Sequence, residues 1–166
     1  AKSNDKGNLE LGRVPFVGRT AANNGIQEYV STADINKGGC VTVSLVGTNV
    51  ALWQDSEFAA SQNIAILRSS NFNVLTAHFI CSLLNFTMRG IFSYGRTVNK
   101  SDLEDMFLKL PVLRDTETND PILDPNKKYS SEGYIPDFEY MENYIKSLNH
   151  KPITTACGVR ISYSWV

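Results

Sequence analysis

Along the first 70 residues, apolar positions come in short runs divided by Gly- and Asn-bearing turns. Val14-Pro15-Phe16-Val17 reads as a short strand, its proline pointing to an edge or a strand start. Ile26 to Val30 begins another, and Cys40-Val41-Thr42-Val43-Ser44-Leu45-Val46 is β-branched and alternating, the pattern of a strand. Val50 to Trp53 and Asn63 to Arg68 complete the set, while residues 1–13 are polar and match no regular element. The connections are short and rich in turn formers: Gly18 to Gly25, Asn36-Lys37-Gly38-Gly39 and Gly47-Thr48-Asn49.

The period then changes. Asn71 or Asn73 can cap a helix running to about Arg89, with Leu75, Phe79, Leu83 and Phe86 or Thr87 as its apolar stripe. Ser101 and Glu104 form a capping-box pair, which predicts a second helix through Met106, Phe107 and Leu110 that stops before Pro111. Residues 114–135 are acidic and Pro-containing, a surface excursion or mobile loop. From Pro136 a third helix is expected, with Phe138, Met141, Ile145 and Leu148 on one seam and Tyr140 and Tyr144 beside it. This predicts an α+β domain, a β-rich half with Gly-rich loops followed by three helices. It spans 1–148 as one domain, ends in an amphipathic helix over 136–148, and leaves 149–166 as an irregular tail.

Composition adds little to that picture. A length of 166 residues, 42% hydrophobic and 20% charged, suits one globular domain with its own core. The apolar runs are short for a bilayer span, and the first residues lack the apolar centre of a secretion signal. Cys40, Cys81 and Cys157 make neither a disulfide framework nor a metal-ligand spacing, and Cys81 reads as a reduced core thiol. A cytoplasmic protein without a membrane partner is the expectation. The net charge of -1 is unevenly placed. Residues 115–142 carry eight acidic side chains against Lys127 and Lys128, a net of -6, so the remainder carries +5.

Candidate chemistry lies in two loops. Phe92-Ser93-Tyr94-Gly95-Arg96-Thr97-Val98-Asn99-Lys100 is aromatic, Gly-hinged and basic, and stands between two expected helices. Tyr94 offers a stacking face and Arg96 a fork of donors suited to phosphate or guanine. The loop at 18–25 presents Arg19, Thr20, Asn23 and Asn24, and asparagine is a side chain able to pair with adenine. Lys37 and Lys100 add positive charge. The plain alternatives are a turn with Tyr94 packed inward and an Asn-Asn-Gly hairpin closure. No nucleophile elbow, phosphate-binding loop or dinucleotide fingerprint occurs, and two histidines give little material for a triad or metal site. His78 lies off the helix stripe without a nearby partner and reads as a half-buried structural histidine. No enzyme is expected.

Three segments together resemble the target-recognition domain of DNA-specificity subunits in restriction-modification systems, chiefly type I subunits and related fused type II enzymes. They are Val14 to Thr20 with Asn23-Asn24-Gly25-Ile26; Phe92 to Arg96 followed by Leu103 and Lys109-Leu110-Pro111; and Pro136 to Lys146. The resemblance covers about residues 9–150. It implies a non-catalytic module that reads one half of a bipartite double-stranded DNA target. Arg19, Thr20, Asn23 and Asn24 map to the family's recognition loop, and Tyr94 and Arg96 to its Tyr-Gly-Arg segment. It further implies an adenine methyltransferase subunit bearing S-adenosylmethionine, an endonuclease subunit, and no cofactor of its own. The chain holds one recognition domain where a full subunit has two, so a half-subunit homodimer is one form open to it. The seam of Phe138, Met141, Ile145 and Leu148 is the candidate partner interface. The competing readings are a protein-interaction domain working through the 136–148 helix without DNA, and a carbohydrate-binding β-domain using Trp53 and Tyr94 as platforms.

Overall fold

The computed structural model describes residues 3–5, 7, 9–92 and 96–149. Six strands precede three helices: β1 (Glu10–Val17), β2 (Ile26–Ser31), β3 (Cys40–Ser44), β4 (Ala51–Gln54), β5 (Ala59–Ala60), β6 (Ile64–Leu67), α1 (Val74–Ile91), α2 (Lys100–Glu104) and α3 (Phe138–Asn149). The strands form two three-stranded sheets, ordered β2-β1-β5 and β4-β3-β6.

The layers follow from the alternation in β3, which is buried at every position. Cys40 joins Val17, Phe58, Ala60 and Ile64 between the two sheets. Val41 and Val43 point the other way, into a larger core with Ala51, Trp53 and the α1 residues Ala77, Ile80, Cys81, Leu84 and Met88. A strand covered on both faces must satisfy its polar side chains internally. Thr42 Oγ1 donates to the Leu52 carbonyl at 3.2 Å, and Ser44 Oγ lies 2.9 Å from Thr48 Oγ1.

β1 begins at Glu10, inside the stretch expected to be irregular, because it is central: antiparallel to β2 and parallel to β5. Pro15 is tolerated there since pairing with β5 starts only at Phe16, leaving that side of Pro15 open. The ladder with β2 is offset between Leu11 and Val14. At this irregularity a Cβ on Gly12 would lie 2.4 Å from the Val30 carbonyl, so the close approach requires glycine. β5 has no counterpart among the expected strands, since Ala59-Ala60 carries no β-branched or alternating signal.

The helices required three corrections. Asn73 caps α1 through a reciprocal pair with Thr76, but the buried face holds Ile80, Cys81, Leu84 and Met88. The expected stripe lies beside it, half-buried at Phe79 and Leu83 and 79% exposed at Phe86. A helix with two adjoining apolar faces leaves the pattern ambiguous, and the sheet selects one of them. α2 is capped by Asn99 with Asp102 rather than by Ser101 with Glu104, and it stops at Glu104. Beyond it Phe107 is 94% exposed. In α3, Met141 is fully buried, Phe138 and Ile145 are half-buried, and Leu148 is 52% exposed, so the seam is buried at its start and open at its end.

α1 is long and apolar enough, by length and composition, to cross a bilayer, contrary to the expectation that every apolar run is too short. Here it is the core helix, packed on β4 and α3. Residues 111–137 fold back on themselves through bridges Val112–Pro136, Arg114–Pro121 and Leu123–Tyr134.

Candidate nucleic-acid interface

The loop between β1 and β2 is closed by a bond from Gly18 N–H to the Gly25 carbonyl, 2.9 Å. Asn23 and Asn24 both take left-handed backbone angles, φ 49° and 51°, which asparagine tolerates better than most residues. Gly25 follows at φ +78°, and a Cβ there would press on Leu52 Cδ1 at 3.1 Å. The Asn24 side-chain amide donates to the Trp53 carbonyl at 2.9 Å, and Asn23 Nδ2 donates to the Ile26 carbonyl at 3.3 Å. Thr20 Oγ1 accepts from Ala22 N–H at 3.2 Å. The loop thus closes the hairpin and docks on β4, its amide donors turned to its own backbone and to that strand. Arg19 stays exposed.

The second loop starts where α1 ends. Phe92 and Val98 are buried in the main core on either side of Arg96, whose exposed guanidinium lies 5.6 Å from the Phe92 ring centroid, a cation–π contact. Asn99 Oδ1 accepts from Asp102 N–H, and Asp102 Oδ2 from Asn99 N–H, each at 2.9 Å. Lys100 pairs with Glu104 at 3.5 Å, both largely exposed, a contact of small energetic weight. With Asp102 turned to the helix cap and Glu104 on Lys100, Arg96 is left unneutralised by either. Tyr94 lies outside the described residues, as do Ser93, Gly95 and the tail 150–166.

The turn between β3 and β4 joins the two loops, although its sequence marks it only as a connection. A Cβ on Gly47 would come within 3.9 Å of the Arg19 Cβ. Leu45, two residues earlier, lines one pocket with Lys100, Leu103 and Glu104. Arg19 therefore stands against the turn, and Lys100 lines a pocket that runs from Leu45 along β6 to Leu67. Lys37 does not join them. It lies before Cys40, at the opposite end of β3, where its carbonyl and that of Gly38 accept from Arg68.

Asn71, just before the helix, donates to the Tyr129 hydroxyl at 3.0 Å and so marks where the acidic excursion docks. The 18 residues of α1 then put about 27 Å between that end and Phe92. Within the excursion, backbone N–H groups of Thr118 and Glu117 hold the Asp115 carboxyl below its usual range, and those of Asn126 and Lys128 do so for Asp124.

A third surface runs between α1 and α3. Asn73 Nδ2 donates to Glu142 Oε1 at 2.7 Å, Phe79 meets Tyr144 edge to face at 5.6 Å, and a groove of about 650 Å³ continues past Leu83, Phe86, Ile145 and Leu148. Two other expectations change. Trp53 is buried in the core and cannot serve as a sugar platform, and His78 is exposed rather than half-buried. Among the described residues, no three His, Cys, Asp or Glu side chains stand close enough to hold a metal ion.

Residues 2–129 match the family model for the type I restriction modification DNA specificity domain. The chain belongs to that family. This specificity domain is 22% identical over 151 residues to the type II restriction enzyme BgcI specificity subunit S.BcgI of Heyndrickxia coagulans, covering 89% of the chain and 39% of the relative. Its fold is similar to the crystal structure of the HsdS subunit from Thermoanaerobacter tengcongensis, with a TM-score of 0.55 at 11% identity, covering 89% of the chain and 32% of the neighbour. The specificity domain thus spans well under half the length of either protein. The family and the BcgI relative are named for specificity, which agrees with the reading of a non-catalytic component, and the HsdS neighbour agrees with the expected α+β fold.

Proposed function

We propose that this domain reads one half of a bipartite duplex target through the 18–25 loop and the segment around Arg96 and Lys100. The observation that carries the reading is that the turn between β3 and β4 adjoins both segments: Gly47 meets Arg19, and Leu45 lines one pocket with Lys100. Exposed positive side chains on these two segments attract phosphate, and a guanidinium among them can address guanine in the major groove. Asn23 and Asn24 shape the loop and leave their side-chain oxygens as acceptors.

The α1–α3 groove favours a second role within the same reading. Phe86 and Leu148 are apolar and more than half exposed beside it, a surface suited to an apolar partner. We assign it to the docking of an adenine methyltransferase subunit, which would bring S-adenosylmethionine. An endonuclease subunit would act in the same cytoplasmic assembly, and a homodimer of half-subunits would supply the second half-site. In the competing reading, a protein-interaction domain, this groove is the only working surface.

The test is selection by the chain from a duplex pool with a randomised centre, followed by anisotropy titration over a range of salt. A discrete enriched sequence is expected, with log affinity falling linearly against log salt. Equal affinity for all sequences at every salt concentration would leave only the protein-interaction reading.

A further inference from the structure

The 18–25 loop is hung from the end of β4 by a buried side chain. Gln54 is the last residue of that strand and is 4% exposed. Its Nε2 donates to the Asn24 carbonyl at 3.2 Å and to Thr42 Oγ1 at 3.1 Å. Asn24 returns the contact one residue away, donating from its own amide to the Trp53 carbonyl at 2.9 Å. Asn24, one of the loop's left-handed residues, is thereby gripped on both sides, by side chain and by carbonyl, from within the sheet. The stem bond from Gly18 to Gly25 closes the same loop, and Arg19 and Thr20 lie inside it.

We propose that Gln54 is a positioning residue for target recognition: through Asn24 it fixes the loop that presents Arg19 and Thr20. The proposal rests on the DNA-reading function above and adds to it a residue that never meets DNA. Packing alone does not require an amide here, since an unbranched apolar side chain of similar length fills comparable space. What an apolar residue lacks is the pair of donors. A loop held before binding loses less entropy on engaging a duplex, and its side chains stay within the tolerance that base reading demands.

The experiment uses the full chain and compares Gln54→Met with the unmutated protein in two measurements. The first is amide hydrogen exchange of residues 18–26 without DNA; the second is the affinity ratio between the sequence enriched from the randomised duplex pool and a scrambled duplex. In Gln54→Met, exchange should rise in that loop alone. The affinity ratio should fall about tenfold, as on removal of one base-reading side chain, while affinity for the scrambled duplex and its salt slope stay unchanged. If Gln54→Met does not fold, Gln54→Leu, which likewise lacks both donors and leaves every loop residue unchanged, takes its place.

Unchanged exchange overturns the proposal, as does faster exchange with an undiminished affinity ratio. If the unmutated chain enriches no sequence at all, the DNA-reading function fails first and the positioning role falls with it, a result visible without any variant.

Discussion

Asn85 on α1 holds both backbone groups of Ala51 on β4: the Ala51 N–H donates to Asn85 Oδ1 at 2.7 Å, and Asn85 Nδ2 donates to the Ala51 carbonyl at 3.0 Å. β4 is an edge strand whose other side pairs with β3. An exposed edge invites pairing with a foreign strand, and a fully buried Ala51 would otherwise keep two unsatisfied polar groups. The side-chain amide of Asn24 meets the same edge at Trp53. Two asparagines, one from the helix and one from the recognition loop, thus close this edge.

Asn85→Ala should therefore destabilise the fold by about 1–3 kcal/mol, the cost of leaving buried backbone groups unpaired. Asn85→Asp should also destabilise it, because the donor to the Ala51 carbonyl is removed. Urea denaturation reads both, and an unchanged midpoint for Asn85→Ala would show that the edge needs no clamp.

Arg19→Ala and Arg96→Ala should each weaken duplex binding. An arginine that neutralises a phosphate should, when removed, reduce the salt slope by about 0.9. An arginine that reads a base should instead, when removed, relax specificity at one position, at about 1–3 kcal/mol. Lys37→Ala should change neither, since Lys37 stands at the far end of β3. Anisotropy titrations at several salt concentrations separate the three outcomes.

α3 should divide in its response to truncation. Met141→Ala empties a fully buried site and should cost about 2–5 kcal/mol. Leu148→Ala lies at the open end of the seam and should stay within about 0.5 kcal/mol of the parent. The same Leu148 change should weaken methyltransferase capture in a pull-down, because the residue lines the α1–α3 groove.

Burial pushes the Cys81 thiol up to about 12 from its usual 9.0. The folded state therefore holds this proton over a range where the unfolded chain releases it. The contribution is complete below the unfolded value and is lost as pH rises from about 9 towards about 12. Stability measured across that window should decline less in Cys81→Ala than in the parent. At neutral pH, alkylation of Cys81 should lag far behind that of a free thiol.

The strands of the first half were legible because β-branched runs alternate between Gly- and Asn-rich turns, and the turn at 18–25 was plain from Asn-Asn-Gly. β5 was not, since two alanines pair only because Phe16 and Val17 of β1 lie alongside. The start of α1 at one of two asparagines, Asn71 or Asn73, and the burial of Cys81 were readable from the chain, and the structure selected Asn73. The choice of Ile80, Leu84 and Met88 over Phe79, Leu83 and Phe86 was not, because either stripe satisfies a helical period and the sheet covers one. At α2, the sequence offers Ser101 with Glu104 and Asn99 with Asp102 as capping pairs, and only the second forms, following Val98 out of the core.

The same division holds for the candidate interface. The amino-acid order by itself determined which side chains have chemistry suited to DNA: Arg19, Thr20, Asn23, Asn24, Tyr94, Arg96 and Lys100, in segments whose residue types are local properties. Tertiary structure alone decided that Arg19 meets Gly47, that Leu45 lines a pocket with Lys100, that Lys37 stands at the opposite end of β3 from Arg19, and that Gln54 reaches Asn24 across 30 positions. Those relations depend on which strand neighbours which, and strand order is a property of long-range pairing that no local pattern contains.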